Sequence, residues 1–131
     1  MGAWGHGSFD NDTAMDWAWD LEASTDLTAI NEALERVTQH VEEYLEAPDC
    51  DEAIAAAEVV AALQGKPAED LPGNVIQWLN GKPRPDEELI EKCRTAIQTI
   101  LAGSELKELW QETDDFDIWS AGVNDLLARL R

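Results

Sequence analysis

The sequence predicts an all-α fold, a single compact bundle of about seven helices that occupies residues 1–131 as one domain. Three observations support this prediction. Apolar residues recur at three- and four-residue steps along most of the chain, which is the period of an α-helix. Capping residues, glycines and prolines divide these stretches into segments of helical length. No stretch shows a convincing two-residue alternation of apolar and polar residues, as a β-strand would.

The N-terminal segment, residues 1–9, is rich in glycine and aromatic residues, which predicts an ordered loop rather than a loose tail. We expect the side chains of Trp4 and Phe9 to pack from this loop into the core of the domain. A first helix is expected from about Thr13 to Glu22. Residues 10–13, Asp-Asn-Asp-Thr, supply several candidate N-caps for this helix. If Asp10 is the cap, Phe9 occupies a hydrophobic-staple position.

Two helices are expected in the next part of the chain. The first is capped by Asp26, continues with apolar residues at helical spacing to Leu45, and is stopped by Pro48. The second, Cys50–Leu63, is crowded with alanines, which let neighbouring helices approach closely, so we expect it at the centre of the packing. A Gly-Lys-Pro turn ends it and recurs 16 residues later, which indicates two helices with the same C-terminal cap.

The remaining chain predicts four further helical segments. A short helix carries the apolar residues of the segment 75–79, and a longer one extends from Pro85 to Gly103. Ser104 is a good N-cap for the sixth helix. The last helix is expected to begin at one of the aspartates between 114 and 117 and to continue to about Leu130.

The charge is strongly negative, with 28 acidic and 9 basic residues and a formal net charge of −19. Residues 1–63 contain only one of the basic residues, Arg36. A nucleic-acid-binding protein needs a basic face, and anionic membranes repel acidic proteins, so we expect neither partner. A basic protein is the partner that such a charge favours. The candidate acidic interaction face lies along the second predicted helix and comprises Glu32, Glu35, Glu42, Glu43 and Glu46.

Cys50 and Cys93 are the only cysteines, and they are far apart in the sequence. They form neither a disulfide framework nor a zinc motif, so we expect free buried thiols. No signal-peptide pattern is visible, and the longest apolar run, Ala53–Leu63, is too short to span a bilayer. These features predict a cytoplasmic protein, and no sequence motif indicates a cofactor.

The opening of the chain, Met-Gly-Ala-Trp-Gly-x-Gly-x-Phe-Asp-Asn-Asp-x-Ala at residues 1–14, resembles that of a bacterial family, domain of unknown function 4259. Residues 56–63, the Gly-Lys-Pro turn and the segment 104–110 are similar to the family as well. The resemblance implies no enzyme activity, cofactor or agreed site. It does imply that the N-terminal motif forms a defining patch of the family, with the candidate residues Trp4, Gly5, His6, Gly7, Phe9, Asp10, Asn11 and Asp12.

A candidate metal site lies near the start of the first helix and consists of His6, Asp10, Asp12 and Asp16. If the helix has begun by Asp12, then Asp12 and Asp16 lie one turn apart on the same face. Together with His6 and Asp10 they could hold a divalent cation, although the calcium-loop pattern is absent. The favoured interpretation is that Asp10 and Asp12 cap the helix and stabilise its positive end.

The six tryptophans divide into two groups. Four of them lie on the apolar stripes of predicted helices, which assigns them to the core. Trp4 and Trp19 do not fit a single stripe and are candidates for partly exposed binding residues, because tryptophans often anchor interfaces.

Three function classes follow. The leading hypothesis is a non-enzymatic protein-interaction module, with the charge profile of an immunity protein or an antitoxin, that binds a basic partner. The alternative is a metal-dependent hydrolase using His6, Asp10, Asp12 and Asp16. The third is a protein with a small-molecule pocket between helices that reaches Trp4 or Trp19.

Overall fold

The computed structural model describes Ala3 and residues 5–39 and 44–131 of the chain. These residues contain seven α-helices and no strand, and the one isolated β-bridge among them joins Ala3 to Asn11. The helices are α1 (Asp12–Glu22), α2 (Thr28–Thr38), α3 (Ala47–Leu63), α4 (Gly73–Leu79), α5 (Glu87–Ala102), α6 (Glu105–Gln111) and α7 (Phe116–Arg129). The all-α prediction and the number of helices are confirmed.

Helix α3 occupies the centre of the bundle, and every other helix packs against it. Its alanines explain this position, because side chains of a single methyl group let the surrounding helices approach closely. Five of the alanines have no exposed surface at all: Ala53, Ala55, Ala56, Ala57 and Ala61. The buried apolar side chains of the surrounding helices join those of α3 in one continuous core.

Enlarging one of these alanines tests the central position of α3. We expect Ala56→Leu to lower the free energy of unfolding by about 1–3 kcal/mol, because the packed neighbours leave no room for three more carbon atoms. Ala62→Leu on the same helix is the matched control, since Ala62 is only half-buried. Denaturant unfolding would measure both. Equal losses at the two positions would contradict the packing described here.

The second helix is shorter than its sequence pattern predicts, which is a correction to the predicted end at Leu45. Helix α2 ends at Thr38 with Gln39 as its C-cap, and Leu45 is buried from a non-helical segment. The backbone N–H of Glu105 donates to the carbonyl oxygen of Leu45 at 2.9 Å. The Glu105 carboxylate accepts from the N–H of Ala47 at 2.8 Å. These tertiary bonds tie the segment to α6 instead of extending α2.

Several helix ends use the residues that the sequence indicates. Ser104 accepts from the N–H of Lys107 at the start of α6, as predicted. Helix α5 begins at Glu87 instead of Pro85, and its N-cap Asp86 accepts from the N–H of Leu89. The Gly-Lys-Pro turns both place their glycine at positive φ, 85° for Gly65 and 76° for Gly81. The shared C′ glycine is therefore as predicted, but the hydrogen bonds of the two turns differ.

The first Gly-Lys-Pro turn is a Schellman motif. The N–H of Lys66 donates to Ala61 and the N–H of Gly65 donates to Ala62, both at 2.9 Å. The second has Asn80 in an extended conformation and a bond from the N–H of Lys82 to the carbonyl of Leu79, which is the pattern of a type II turn.

Both cysteines are buried and free, as predicted. Burial raises the pKa of the Cys50 and Cys93 thiols to about 12. Thiols with such a pKa are unreactive, because the thiolate is the nucleophilic form. None of the helices in the described ranges combines the length and the apolar character that a membrane crossing requires.

Candidate functional site: a cavity beside the N-terminal loop

The N-terminal loop is built around the carboxylate of Asp10. The backbone N–H of Gly7 donates to Asp10 Oδ2 at 3.1 Å, and the N–H of Asp10 donates back to the Gly7 carbonyl at 3.1 Å. A Cβ atom at Gly5 or Gly7 would lie 2.6 or 2.7 Å from Asp10 Oδ2. A side chain at either position would therefore displace this carboxylate from its place in the loop. Phe9 is buried, as predicted, while Trp4 lies outside the described residues.

The cap of α1 is Asn11, one of the candidates at residues 10–13, and not Asp10. Asn11 Oδ1 accepts from the N–H of Ala14 at 2.7 Å, and the Asn11 side chain is buried. Asp10 is unavailable as a cap because its carboxylate is used within the loop. With Asn11 as the cap, Phe9 no longer occupies the hydrophobic-staple position before the cap, and its burial comes from packing on the core.

The four candidate metal ligands do not form a cluster. His6, Asp12 and Asp16 are exposed, and the carboxylate of Asp10 accepts a hydrogen bond from the loop backbone. Among the described residues no three His, Cys, Asp or Glu side chains lie where they could hold a metal ion.

The glutamates of the predicted acidic face do not share one helix. Glu32 and Glu35 lie on α2, Glu46 is the N-cap residue of α3, and Glu42 and Glu43 lie outside the described residues. Glu35 is paired, with its Oε1 atom 3.0 Å from the Nζ atom of Lys92. The face was predicted on the assumption that α2 continues past Thr38, whereas α2 ends there and Glu46 belongs to the start of α3.

A cavity of about 140 Å³ lies where the N-terminal loop meets α3, α6 and α7. Three of the eight candidate residues of the family patch, His6, Gly7 and Asn11, line it from the loop side together with Ala3 and Ser8. The other lining groups that matter for its chemistry are the acids Asp51, Glu58, Asp70 and Asp125, the base Arg129, and the aromatic residues Trp110 and Trp119. The motif therefore forms one wall of the cavity.

The polar centre of the cavity is Glu58, which is only 4% exposed. Its Oε2 atom accepts a hydrogen bond from Ser8 Oγ at 2.7 Å, which links the loop to α3. Its Oε1 atom lies 2.9 Å from Arg129 Nη2, close enough for an ion pair but without hydrogen-bond geometry. Oε1 is thus a buried oxygen with unused capacity to accept a hydrogen bond.

Arg129 is fully engaged by the protein itself. Its Nε atom donates to Asp125 Oδ2 at 2.8 Å, and its Nη1 atom donates to the carbonyl oxygen of Lys66 at 3.1 Å. The remaining terminal nitrogen, Nη2, is the one that faces Glu58. An anionic ligand would therefore have to displace one of these partners to reach the guanidinium group.

Asp51 lies on the second turn of α3 and lines one side of the same cavity. Burial raises the pKa of Asp51 to about 7, and the neighbouring Glu52 carboxylate contributes in the same direction. The Asp51 carboxyl therefore titrates much closer to neutral pH than an ordinary aspartate, whose pKa is 3.8. A perturbed carboxyl in a cavity is a frequent property of functional sites.

The most exposed large apolar side chain among the described residues is Trp19 on α1, at 72% exposure. Asp12, Asp16 and Asp20 are also exposed and follow the same helix at intervals of four residues. Residues at this spacing share one face of a helix, and Trp19, three positions after Asp16, lies on the same face. We call these four residues the α1 face. No ion pair within the described part of the chain uses any of its aspartates.

Sequence reasoning missed Asp51, Glu58 and Arg129 as a group. They are separated by up to 78 positions, and the cavity exists only because α3 and α7 pack together. One signal was present, since Glu58 is the sole charged residue in the apolar run Ala53–Leu63. A carboxylate that is buried in a central helix requires a partner, so the position of Glu58 indicates a charged or polar group opposite it.

A family model described as Domain of unknown function (DUF4259) matches residues 2–122 of the 131. The chain belongs to this family. No curated protein and no solved structure matches the chain. The match to the family covers the N-terminal loop and most of the cavity lining, but not Val123, Asp125 or Arg129, which lie beyond residue 122.

Proposed function

We propose that the protein is a non-enzymatic interaction module that binds a basic protein partner through the α1 face. The observation that carries the proposal is the exposure of Trp19 between three exposed aspartates of α1. A large aromatic side chain is costly to leave in water, and tryptophan is enriched among the residues that dominate binding energy.

The chemistry of the α1 face suits lysine and arginine side chains. The indole ring can bind such a cation on its face, and the flanking carboxylates can pair with it. The excess of negative charge in the N-terminal half would also accelerate encounter with a positively charged protein. An immunity- or antitoxin-like role in the bacterial cytoplasm is the form of this function that we propose, and the two free thiols suit a reducing compartment.

The proposal is tested by quantitative binding to a partner captured from a lysate of the native host at low salt. We expect Trp19→Ala to weaken the affinity by roughly tenfold or more, since interface tryptophans often contribute about 2 kcal/mol. We expect Asp16→Asn with Asp20→Asn to slow association and to reduce its dependence on salt. Ile118→Ala is the matched control, because Ile118 is 50% exposed but lies on α7.

Two outcomes would contradict the proposal. The first is that no basic protein is captured at any ionic strength. The second is that Trp19→Ala and Ile118→Ala change the affinity of the captured protein equally.

The metal-dependent hydrolase remains the alternative function. It needs His6, Asp10, Asp12 and Asp16 to converge on one ion, whereas three of the four are exposed and Asp10 is bonded to the loop backbone. Calorimetry with Mg²⁺, Mn²⁺, Ca²⁺ and Zn²⁺ tests it directly. The interaction module predicts no heat of binding from any of the four ions.

A further inference from the structure

The cavity beside the N-terminal loop contains more negative charge than its one arginine can balance. Glu58 is buried inside it, Asp51 is half-buried, and Asp70 and Asp125 are exposed at its mouth. The three groups that Arg129 contacts are Glu58, Asp125 and the Lys66 carbonyl, so it makes no contact with Asp51 or Asp70. A buried carboxylate without full compensation is costly to the folded protein. Such a cost is commonly retained where a ligand supplies the missing charge.

The unused hydrogen-bond capacity of Glu58 points in the same direction. Oε1 of this cavity-lining residue is buried, faces Arg129 Nη2 at 2.9 Å as an ion pair, and accepts no hydrogen bond of good geometry. Ser8 serves only the other oxygen, Oε2. A ligand with an N–H group would satisfy Oε1 and add positive charge at the same point.

The aromatic wall of the cavity favours a cation with an apolar part. Trp110 and Trp119 are buried and stacked, with ring centroids 6.2 Å apart and planes inclined by 10°. Leu106 and Val123 complete this wall. Indole rings attract alkylammonium and guanidinium groups and also pack against alkyl chains.

We propose that this cavity binds a small organic cation, an alkylammonium or alkylguanidinium compound, whose charged group lies against Glu58 and Asp51. The volume of about 140 Å³ suits a ligand of about six heavy atoms, since an engineered cavity of about 150 Å³ accepts benzene. The acidic side chains are too dispersed for a metal ion, but a linear cation can reach several of them. The cavity shares no residue with the α1 face, so the cation-binding proposal can fail without affecting the proposed partner binding, and the reverse also holds.

Titration calorimetry on the full chain with four probes of similar size, about six heavy atoms each, tests this proposal. We expect ethylguanidine and butylamine to bind, and butyramide and butyrate not to bind. Asp51→Asn is expected to weaken cation binding by about tenfold, the usual effect of losing a charge-assisted hydrogen bond. Asp114→Asn is the matched control, because Asp114 is exposed and lies outside the cavity. Trp19→Ala should leave the affinity for the cations unchanged.

The result that overturns the proposal is equal binding of the neutral and the cationic probes, or no binding of either cation. Asp51→Asn and Asp114→Asn weakening the cations equally would overturn it too, because the effect would then be one of net charge. The last probe in the calorimetry is a peptide with blocked termini and one central arginine. Binding of this peptide without binding of the free cations would overturn the small-molecule proposal and assign the cavity to a partner's side chain.

Discussion

Arg129→Met is expected to lower the free energy of unfolding by about 3–5 kcal/mol, because it leaves the carboxylate of Glu58 buried without its ionic partner. The Glu58 side chain is 5% exposed and the Arg129 side chain is 18% exposed, so water can replace little of the lost interaction. Methionine keeps most of the stem of the side chain and limits the loss of packing. Guanidinium unfolding followed by tryptophan fluorescence would measure the change.

Arg94→Met is the matched control for this substitution. Arg94 is similarly placed at 24% exposure, but its partner Glu91 is exposed and lies 3.9 Å away. Ion pairs of this kind contribute at most about 1 kcal/mol. Adding Glu58→Gln to Arg129→Met should recover roughly half of the loss or more, since a neutral amide replaces the uncompensated charge. If the double variant were less stable than Arg129→Met alone, the loss would come from packing and not from the buried charge.

The elements that could be predicted from the sequence are those whose causes are local. The helical period, the cap Ser104 and the glycines of the two Gly-Lys-Pro turns all depend on neighbours within a few positions. The central position of α3 could be predicted as well, because its composition of small residues has a direct packing consequence.

The prediction failed where a distant group decides the local structure. The apolar pattern continues past the end of α2, but Leu45 and Ala47 are bonded to Glu105, 58 positions or more along the chain. Similarly, Asp10 has the chemistry of an N-cap, yet Gly7 takes its carboxylate and Asn11 caps α1 instead. Residue type alone does not show which of two competing partners a carboxylate will choose.

The site could be predicted only in part. The resemblance identified the N-terminal motif, and the structure places its residues His6, Gly7 and Asn11 at the cavity. The charged residues opposite could not be predicted, since their alignment requires the packing of α3 against α7. The glycines of the motif acquire a physical reason at the same time: they admit the Asp10 carboxylate that shapes the loop.

Asp51→Asn is expected to increase the free energy of unfolding at pH 8 by about 2–3 kcal/mol, because it removes a carboxylate that burial penalises. The pKa of Asp51 is about 7 in the folded protein and 3.8 in its unperturbed state. Between these values the folded chain binds more protons than the unfolded chain. The contribution of Asp51 to stability is therefore most favourable below pH 4 and declines as the pH rises through 7. The increase in the free energy of unfolding caused by Asp51→Asn should therefore be near zero at pH 4 and reach its full value by pH 8.

Unfolding curves for Asp51→Asn and Glu69→Gln at pH 4, 6 and 8 would measure this dependence. Glu69 is exposed, so its variant removes the same charge from the surface and reports the general effect of a smaller net charge. A gain that is equal in the two variants would contradict a specific penalty at Asp51. A specific gain accompanied by loss of cation binding would show that the wild-type chain retains a destabilising carboxyl because the ligand needs it. Asp51→Asn thus separates stability from binding in one variant, since the two are expected to change in opposite directions.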